Sequence, residues 1–204
     1  IANPNCSTIQ CMLPLKVLEE KYGLKRVIYC TYQAVSGSGH KGVEDLENGL
    51  RGEEPKTYPH PIVNNCLPHI DKFLENGYTK EEIMIDETRK ILGIPDLPVT
   101  ATCVRVPVMN SHSVSITAEL ERDFDLEEVK EALGNFAGMV LVDDVNSNEY
   151  PLASDATGQD KVLVGRVRRD FSTEKGINLW VVADNIRKGA ATNAVQIAEL
   201  FRGI

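Results

Sequence analysis

Six stretches of this chain carry the β-branched, aromatic or alternating pattern of strands, and they come in succession rather than with a helix between each pair. They lie near 24–35, 98–108, 112–121, 138–143, 161–169 and 177–183. A doubly wound parallel sheet would require regular strand–helix alternation. The pattern therefore predicts an α+β domain with a mixed, largely antiparallel sheet and helices on one face. Helices are expected at 7–22, with Ser7 or Thr8 as cap and Gly23 as stop, and at 41–51. Pro14 should kink the first of these or mark its true first turn. Thr79-Lys80-Glu81-Glu82 reads as a capping box for a helix to about Leu92, and Asp125 to Glu128 as another for a helix to about Leu133. A last helix is expected over about 190–201. Ser36-Gly37-Ser38-Gly39 reads as a flexible loop, 52–70, with its four prolines, as irregular, and 144–160 as turn-rich.

The 204 residues suffice for one domain, 1–204, with a real core, and 42% hydrophobic with 25% charged residues is ordinary globular composition. A net charge of −8 argues against nucleic acid or an anionic membrane as partner. No apolar run approaches the roughly 20 residues of a membrane span, and no leader-type segment opens the chain. Five cysteines without a CxxC read as reduced thiols in a cytoplasmic protein. The chain opens almost directly on a candidate nucleophile and contains no GxGxxG after a strand, which suggests a domain cut from a longer protein.

That nucleophile is Cys6, in Asn5-Cys6-Ser7-Thr8, where a loop turns into a helix. A thiol there faces the positive end of the helix dipole and free N–H groups, which lower its pKa and can hold an oxyanion. The plain alternative is a small buried residue, the usual fate of cysteine, but the three neighbours are polar. Cys11, Cys30, Cys66 and Cys103 lie among apolar residues and are expected to be structural. His112, in Ser-His-Ser at a strand start, has a setting where imidazole titrates near neutrality, although a lone histidine there is more often a surface residue. Arg105 lies mid-strand between apolar residues. Facing inward it would seek a carboxylate or phosphate; facing outward it would be ordinary sheet surface, and Cys103 and Pro107 leave the choice open. Glu87 and Lys90 are either an i,i+3 ion pair worth roughly a few tenths of a kcal/mol or an acid and a base offered to a ligand with an amine and an anion. Gln33 carries no signal of its own. No His, Cys and Asp share ligand spacing, so no metal is expected. A thiol, an imidazole and an anion clamp are the parts of an acyl-transfer site that works through a thioester.

Five segments together resemble the C-terminal, catalytic and dimerisation domain of the aspartate-β-semialdehyde dehydrogenase family, in the branch common in Gram-positive bacteria. They are Asn-Pro-Asn-Cys-Ser-Thr (3–8), Thr-Tyr-Gln-Ala-Val-Ser-Gly-Ser-Gly (31–39), Asp-Glu-Thr-Arg-Lys-Ile-Leu (86–92), Val-Arg-Val-Pro-Val-Met-Asn-Ser-His (104–112) and Val-Ala-Asp-Asn-Ile-Arg-Lys-Gly-Ala-Ala (182–191). The resemblance implies the fold of the C-terminal domain of glyceraldehyde-3-phosphate dehydrogenase-type enzymes. It implies Cys6 as nucleophile, His112 as general acid/base and Gln33 as the residue orienting the substrate. Arg105 would clamp the α-carboxylate and Glu87 would meet the α-ammonium. Lys90, with Asn5, would hold phosphate; Ser36 and Gly37 would touch the cofactor NADP and Asn185 its nicotinamide. The implied reaction interconverts L-aspartate β-semialdehyde plus phosphate with β-aspartyl phosphate, in lysine, diaminopimelate, methionine, threonine and isoleucine biosynthesis. The family's N-terminal Rossmann domain is absent from this sequence, and the final helix, about 190–201, is expected to pack on it through Ala191, Ala194, Val195, Ala198, Leu200 and Phe201. The fragment is expected to form a homodimer through its sheet, with a tetramer as the larger option, and to be inactive alone. N-acetyl-γ-glutamyl-phosphate reductase shares the Cys/His chemistry, but its acylated substrate gives Glu87 no ammonium to meet. A non-catalytic dimerisation module would have no reason to keep all five of Cys6, His112, Arg105, Glu87 and Lys90.

Overall fold

The chain enters its first helix at Asn5, whose side-chain oxygen accepts the Ser7 N–H at 2.9 Å and so satisfies one of the donors a helix start leaves open. The structure, a computed structural model, describes residues 1–201. Helix α1 spans Cys6–Tyr22 and stops at Gly23, whose φ of 74° few other residues would adopt. Pro14 remains inside α1, buried. The helix lays Cys11, Leu15 and Leu18, all fully buried, on the sheet. Removing each such leucine from water is worth about 1.5–3 kcal/mol, which holds the Cys6 end of the helix in place.

The strands are β1 (Leu24–Gln33), β2 (Val99–Arg105), β3 (His112–Leu120), β4 (Met139–Leu141), β5 (Val162–Asp170) and β6 (Gly176–Ala183), in one sheet of order β2-β1-β3-β6-β5-β4. β1 pairs parallel with β2, and β4 with β5; the three central pairings, β1–β3, β3–β6 and β6–β5, are antiparallel. The sheet is thus mixed and mostly antiparallel, as the strand succession implies. Val27 and Tyr29 of β1, Val114 and Ile116 of β3, and Ile177 and Leu179 of β6 are all buried in one core. That core also contains α1, α3 (Met84–Leu92) and α4 (Leu126–Asn135). The alternate residues face the other way; Tyr32 and Trp180 pack there with ring centroids 5.3 Å apart, and Tyr32 is exposed.

Helix α2 (His40–Leu50) stands apart, its Leu46 packing with Val35, Ile62 and Leu67 in a second small cluster. The proline-rich segment forms no regular element, yet it is well fixed. Asp45 accepts the N–H groups of Lys56, Thr57 and Tyr58, and Leu67 exchanges two 2.8 Å backbone hydrogen bonds with Arg105. The edge of β2 is covered just where Arg105 sits.

Several boundaries differ from expectation. Ser36–Gly39 is not a flexible loop: Val35–Ser38 closes as a 3₁₀ turn, with Gly39 at φ 72° leading into α2. The 79–92 helix is divided into a 3₁₀ turn over Lys80–Ile83 and then α3. The turn-rich stretch contains a short helix, α5 (Ala153–Ala156). The last helix begins with a π turn over Arg187–Ala191 before α6 (Thr192–Leu200), none of whose residues is buried. Cys66 is exposed and Cys30 only half-buried, so of the four cysteines expected to be structural only Cys11 and Cys103 are core residues. Cys66 follows two asparagines at the surface end of the proline-rich segment, where apolar neighbours do not imply a core.

Candidate active site

Sheet topology gathers the candidate residues at one end of the molecule. β1 and β2 run parallel and finish side by side, so their last residues, Gln33 and Arg105, are register partners. β3 runs back from the same end and starts with His112, paired with Ala183, the last residue of β6. Asp184 and Asn185 therefore follow directly beside His112. The N-terminus of α1 adds Cys6, and the first turn of α3 adds Glu87.

Arg105 faces inward and is only 4% exposed. Its Nη1 donates to the Ala34 carbonyl at 2.7 Å, while its Nε is buried without a partner. His112 is fully buried, with Nδ1 accepting the Ala34 N–H at 3.1 Å. The neutral ring thus carries its proton on Nε2, which is buried and also unpartnered. Burial, with the Arg105 charge adding to it, pushes the imidazole down to about 3. Gly37 makes this packing possible: a Cβ there would lie 2.6 Å from Arg105 Nη1 and 3.1 Å from His112 Nε2.

Cys6 is the first residue of α1 and half-buried. Burial and then the Glu81 carboxylate push its thiol up to about 11, against the Ser7 N–H and Arg105, which pull it down. The helix-end effect expected from the sequence is present but outweighed. Gly189 allows the last loop to close over the cysteine, since a Cβ there would meet Cys6 Cβ at 3.0 Å.

Glu87 does not pair with Lys90. Its carboxylate accepts the Asn5 N–H at 3.0 Å on each oxygen and also the Thr8 hydroxyl, fixing the residues on either side of Cys6. Lys90 is exposed on α3. Asn185 lies beside Ser36, next to Gly37. Asn185 Oδ1 accepts the Ser111 N–H at 2.9 Å, and its Nδ2 donates to the Ser36 hydroxyl at 3.1 Å. Ser111 is held at φ 72°, a conformation that costs a serine energy and turns the chain into β3 at His112.

Three residues of this site carried no sequence signal. Gln10 donates from Nε2 to the carbonyls of His112 and Val181, 3.1 Å each, tying α1 to β3 and β6. Asp184, buried, accepts the N–H groups of Gly158, Ile186 and Arg187 and shapes the loop that reaches Cys6. Glu81 accepts from Asn5 Nδ2 at 2.9 Å and Gln33 Nε2 at 3.2 Å. The first two could be found only by knowing which strand ends meet, and Glu81 reads in the sequence only as part of a helix cap.

The sheet end thus brings together a thiol at a helix start, a buried imidazole and a buried guanidinium in a domain of the α+β class. A family model described as semialdehyde dehydrogenase, dimerisation domain, matches residues 15–188, and the chain belongs to this family. It is 54% identical over 209 residues to an aspartate-semialdehyde dehydrogenase of Aquifex aeolicus, covering 98% of this chain and 62% of that protein. To the Bacillus subtilis aspartate-semialdehyde dehydrogenase it is 46% identical, covering 99% of this chain and 63% of that protein. A crystal structure of Vibrio cholerae aspartate semialdehyde dehydrogenase II complexed with ASA superposes with a TM-score of 0.92 at 48% identity, over 98% of this chain and 61% of that one. A Candida albicans aspartate semialdehyde dehydrogenase with NADP gives 0.72 at 25% identity, over 97% and 56%. The chain spans about three-fifths of the length of these relatives.

Proposed function

We propose that this chain is the catalytic and dimerisation part of a phosphorylating, NADP-dependent aspartate-semialdehyde dehydrogenase serving lysine, diaminopimelate, methionine, threonine and isoleucine synthesis. The observation that carries the reading is the pair of buried, unpartnered donors, Arg105 Nε and His112 Nε2, packed together at Gly37, with Arg105 near enough to Cys6 to pull its thiol down. Buried donors without acceptors cost about 1–3 kcal/mol each. A substrate with a carboxylate and a carbonyl oxygen would satisfy both.

In this reading Arg105 grips the α-carboxylate, Gln33 orients the chain of the substrate, and Glu87 attracts its α-ammonium. The Cys6 thiol first gives up its proton to solvent, since His112 Nε2 already carries one; Sγ then adds to the aldehyde carbon, and the oxygen takes up the negative charge. His112 meets that oxygen with Nε2–H. Taking a proton at Nε2 calls for the other neutral tautomer, with a proton on Nδ1 facing the Ala34 N–H, so the geometry favours the acid role before the base role. NADP held by Ser36, Gly37 and Asn185 would supply the hydride acceptor for conversion of the Cys6 adduct to a thioester. Ser36, Gly37 and Asn185 fit the nicotinamide end: Gly37 is exposed and bare of a side chain, beside the Ser36 hydroxyl and the Asn185 amide. Phosphate, held by Lys90 and Asn5, attacks the thioester carbon and expels the Cys6 thiolate as β-aspartyl phosphate forms.

The described residues supply no dinucleotide-binding loop, so the 204-residue chain alone should be inactive. The exposed α6, with Val195 56% and Leu200 75% exposed, together with Phe201 that follows it, 55% exposed, is the surface proposed to meet the cofactor domain, and the sheet face carrying Tyr32 and Trp180 the one proposed to form a homodimer. The test is phosphate-dependent NADP reduction with L-aspartate β-semialdehyde by the protein completed with its cofactor-binding half, beside a Cys6→Ala control. Turnover lost in the control is the expected result. A folded, cofactor-binding protein without turnover refutes the reading and sends the assay to N-acetylglutamate semialdehyde.

A further inference from the structure

Glu81 is an acidic residue with no role in the mechanism above, yet it sits among the groups that carry it. One of its carboxylate oxygens, Oε1, accepts from both Asn5 Nδ2 and Gln33 Nε2. Burial raises its pKa, and Glu87 raises it further, while Asn5, Gln33 and Arg105 lower it. The two carboxylates therefore lie close, one holding the Asn5 side chain and the other the Asn5 backbone.

Their hydrogen-bonding states differ. Glu87 already accepts three hydrogen bonds spread over both oxygens. Glu81 uses Oε1 alone, which leaves Oε2 for a further donor. Among the described residues, two carboxyl groups stand beside one inward guanidinium, that of Arg105, while His112 is neutral. Arg105, which is near enough to Glu81 to lower its pKa, has a buried Nε donor without an acceptor, and so does His112 at Nε2. A ligand that offers a cation to the two glutamates and an anion to Arg105 Nε would match these groups, and that is the charge distribution of an α-amino acid zwitterion.

We propose that Glu81 is a second substrate-binding carboxylate, which shares the α-ammonium with Glu87 while Arg105 takes the α-carboxylate; this rests on the amino-aldehyde reading above. An ammonium has three N–H donors, more than Glu87 can receive with both oxygens engaged. Glu81 supplies the missing acceptor and makes the site select for a free amine.

The experiment compares two aldehydes on the completed protein: L-aspartate β-semialdehyde and succinate semialdehyde, which is the same molecule without the amine. Glu81→Gln keeps an oxygen for Asn5 and Gln33 but removes the charge and replaces the free Oε2 acceptor with an NH2 donor. It should lower kcat/KM for the amino aldehyde about ten- to hundredfold, or about 1.4–2.7 kcal/mol. For succinate semialdehyde, followed as substrate or as competitive inhibitor, the change should stay within about threefold. Glu81→Asp, which keeps the charge, should recover part of the selectivity and shows that the loss is not one of folding. An equal loss on both aldehydes, or no loss on either, overturns the proposal while leaving the proposed function standing. A parent protein inert toward the amino aldehyde overturns both.

Discussion

Consider the ligand-free chain taken from pH 7 to about pH 4.5. His112 is fully buried, and burial together with Arg105 pushes its pKa from 6.5 to about 3. In the unfolded chain the same ring binds a proton below about 6.5. Between the two values the unfolded state holds a proton that the folded state does not, so acid favours unfolding. The contribution is fully present above 6.5 and is lost progressively as the pH falls toward 3. At about 1.36 kcal/mol per unit, the fall from 6.5 to about 4.5 removes about 2.7 kcal/mol through this one residue. That is a large part of the roughly 5–15 kcal/mol by which a domain is stable.

The assay is urea unfolding of the parent and of His112→Asn at both pH values. Asparagine can offer its Oδ1 to the Ala34 N–H where Nδ1 now accepts, and it does not titrate. The carboxylates shared by the two proteins cancel in the comparison. The stability difference should shift by about 2.7 kcal/mol in favour of the variant at the lower pH. Parallel pH slopes would refute the reasoning, because they would mean that His112 protonates in place without leaving the fold.

Two further outcomes follow from the same geometry. The rate of Cys6 alkylation by iodoacetamide, read peptide by peptide to separate it from exposed Cys66, should rise with pH along a pKa of about 11; a plateau near pH 8 would show that the helix end and Arg105 outweigh burial. Gly37→Ala puts a methyl 2.6 Å from Arg105 Nη1 and should break its 2.7 Å bond to Ala34, lowering kcat/KM of the completed protein by about ten- to hundredfold; kinetics within about twofold of the parent would show that Arg105 can shift freely.

The architecture was legible because burial leaves a period in the sequence. Val114, Ile116 and Ala118 alternate with polar residues and are the buried side of β3. Arg105 was not legible in the same way: its neighbours at i±2 are Cys103, buried, and Pro107, exposed and past the end of the strand. Only the pairing of β2 with β1, and of Arg105 with Leu67, settles that its side chain turns inward. Ser-His-Ser is polar and suggests for His112 either an imidazole titrating near neutrality or a plain surface histidine, but Ser113 lies where β3 meets β1 and β6, and the ring is enclosed by Ala34, Gly37 and Arg105. Polarity of neighbours in sequence is a poor guide where three chain segments converge.

Glu81 shows how a small change in helix geometry conceals a site residue. Read as one α-helix from Lys80, at about 100° per residue, Glu81 and Glu87 are separated by six steps and point about 120° apart. Glu81 would then face away from Cys6, and Thr79-Lys80-Glu81-Glu82 would be a cap and nothing more. The structure instead winds Lys80–Ile83 as a 3₁₀ turn, at about 120° per residue, before the α-helix starts at Met84. Three steps at about 120° and three at about 100° bring Glu81 to within about 60° of Glu87. Both carboxylates then reach Asn5, one at its side chain and one at its backbone. The tighter first turn is what converts a residue of a helix-start motif into a neighbour of the thiol, and a sequence that reads equally well as either kind of turn cannot reveal that conversion.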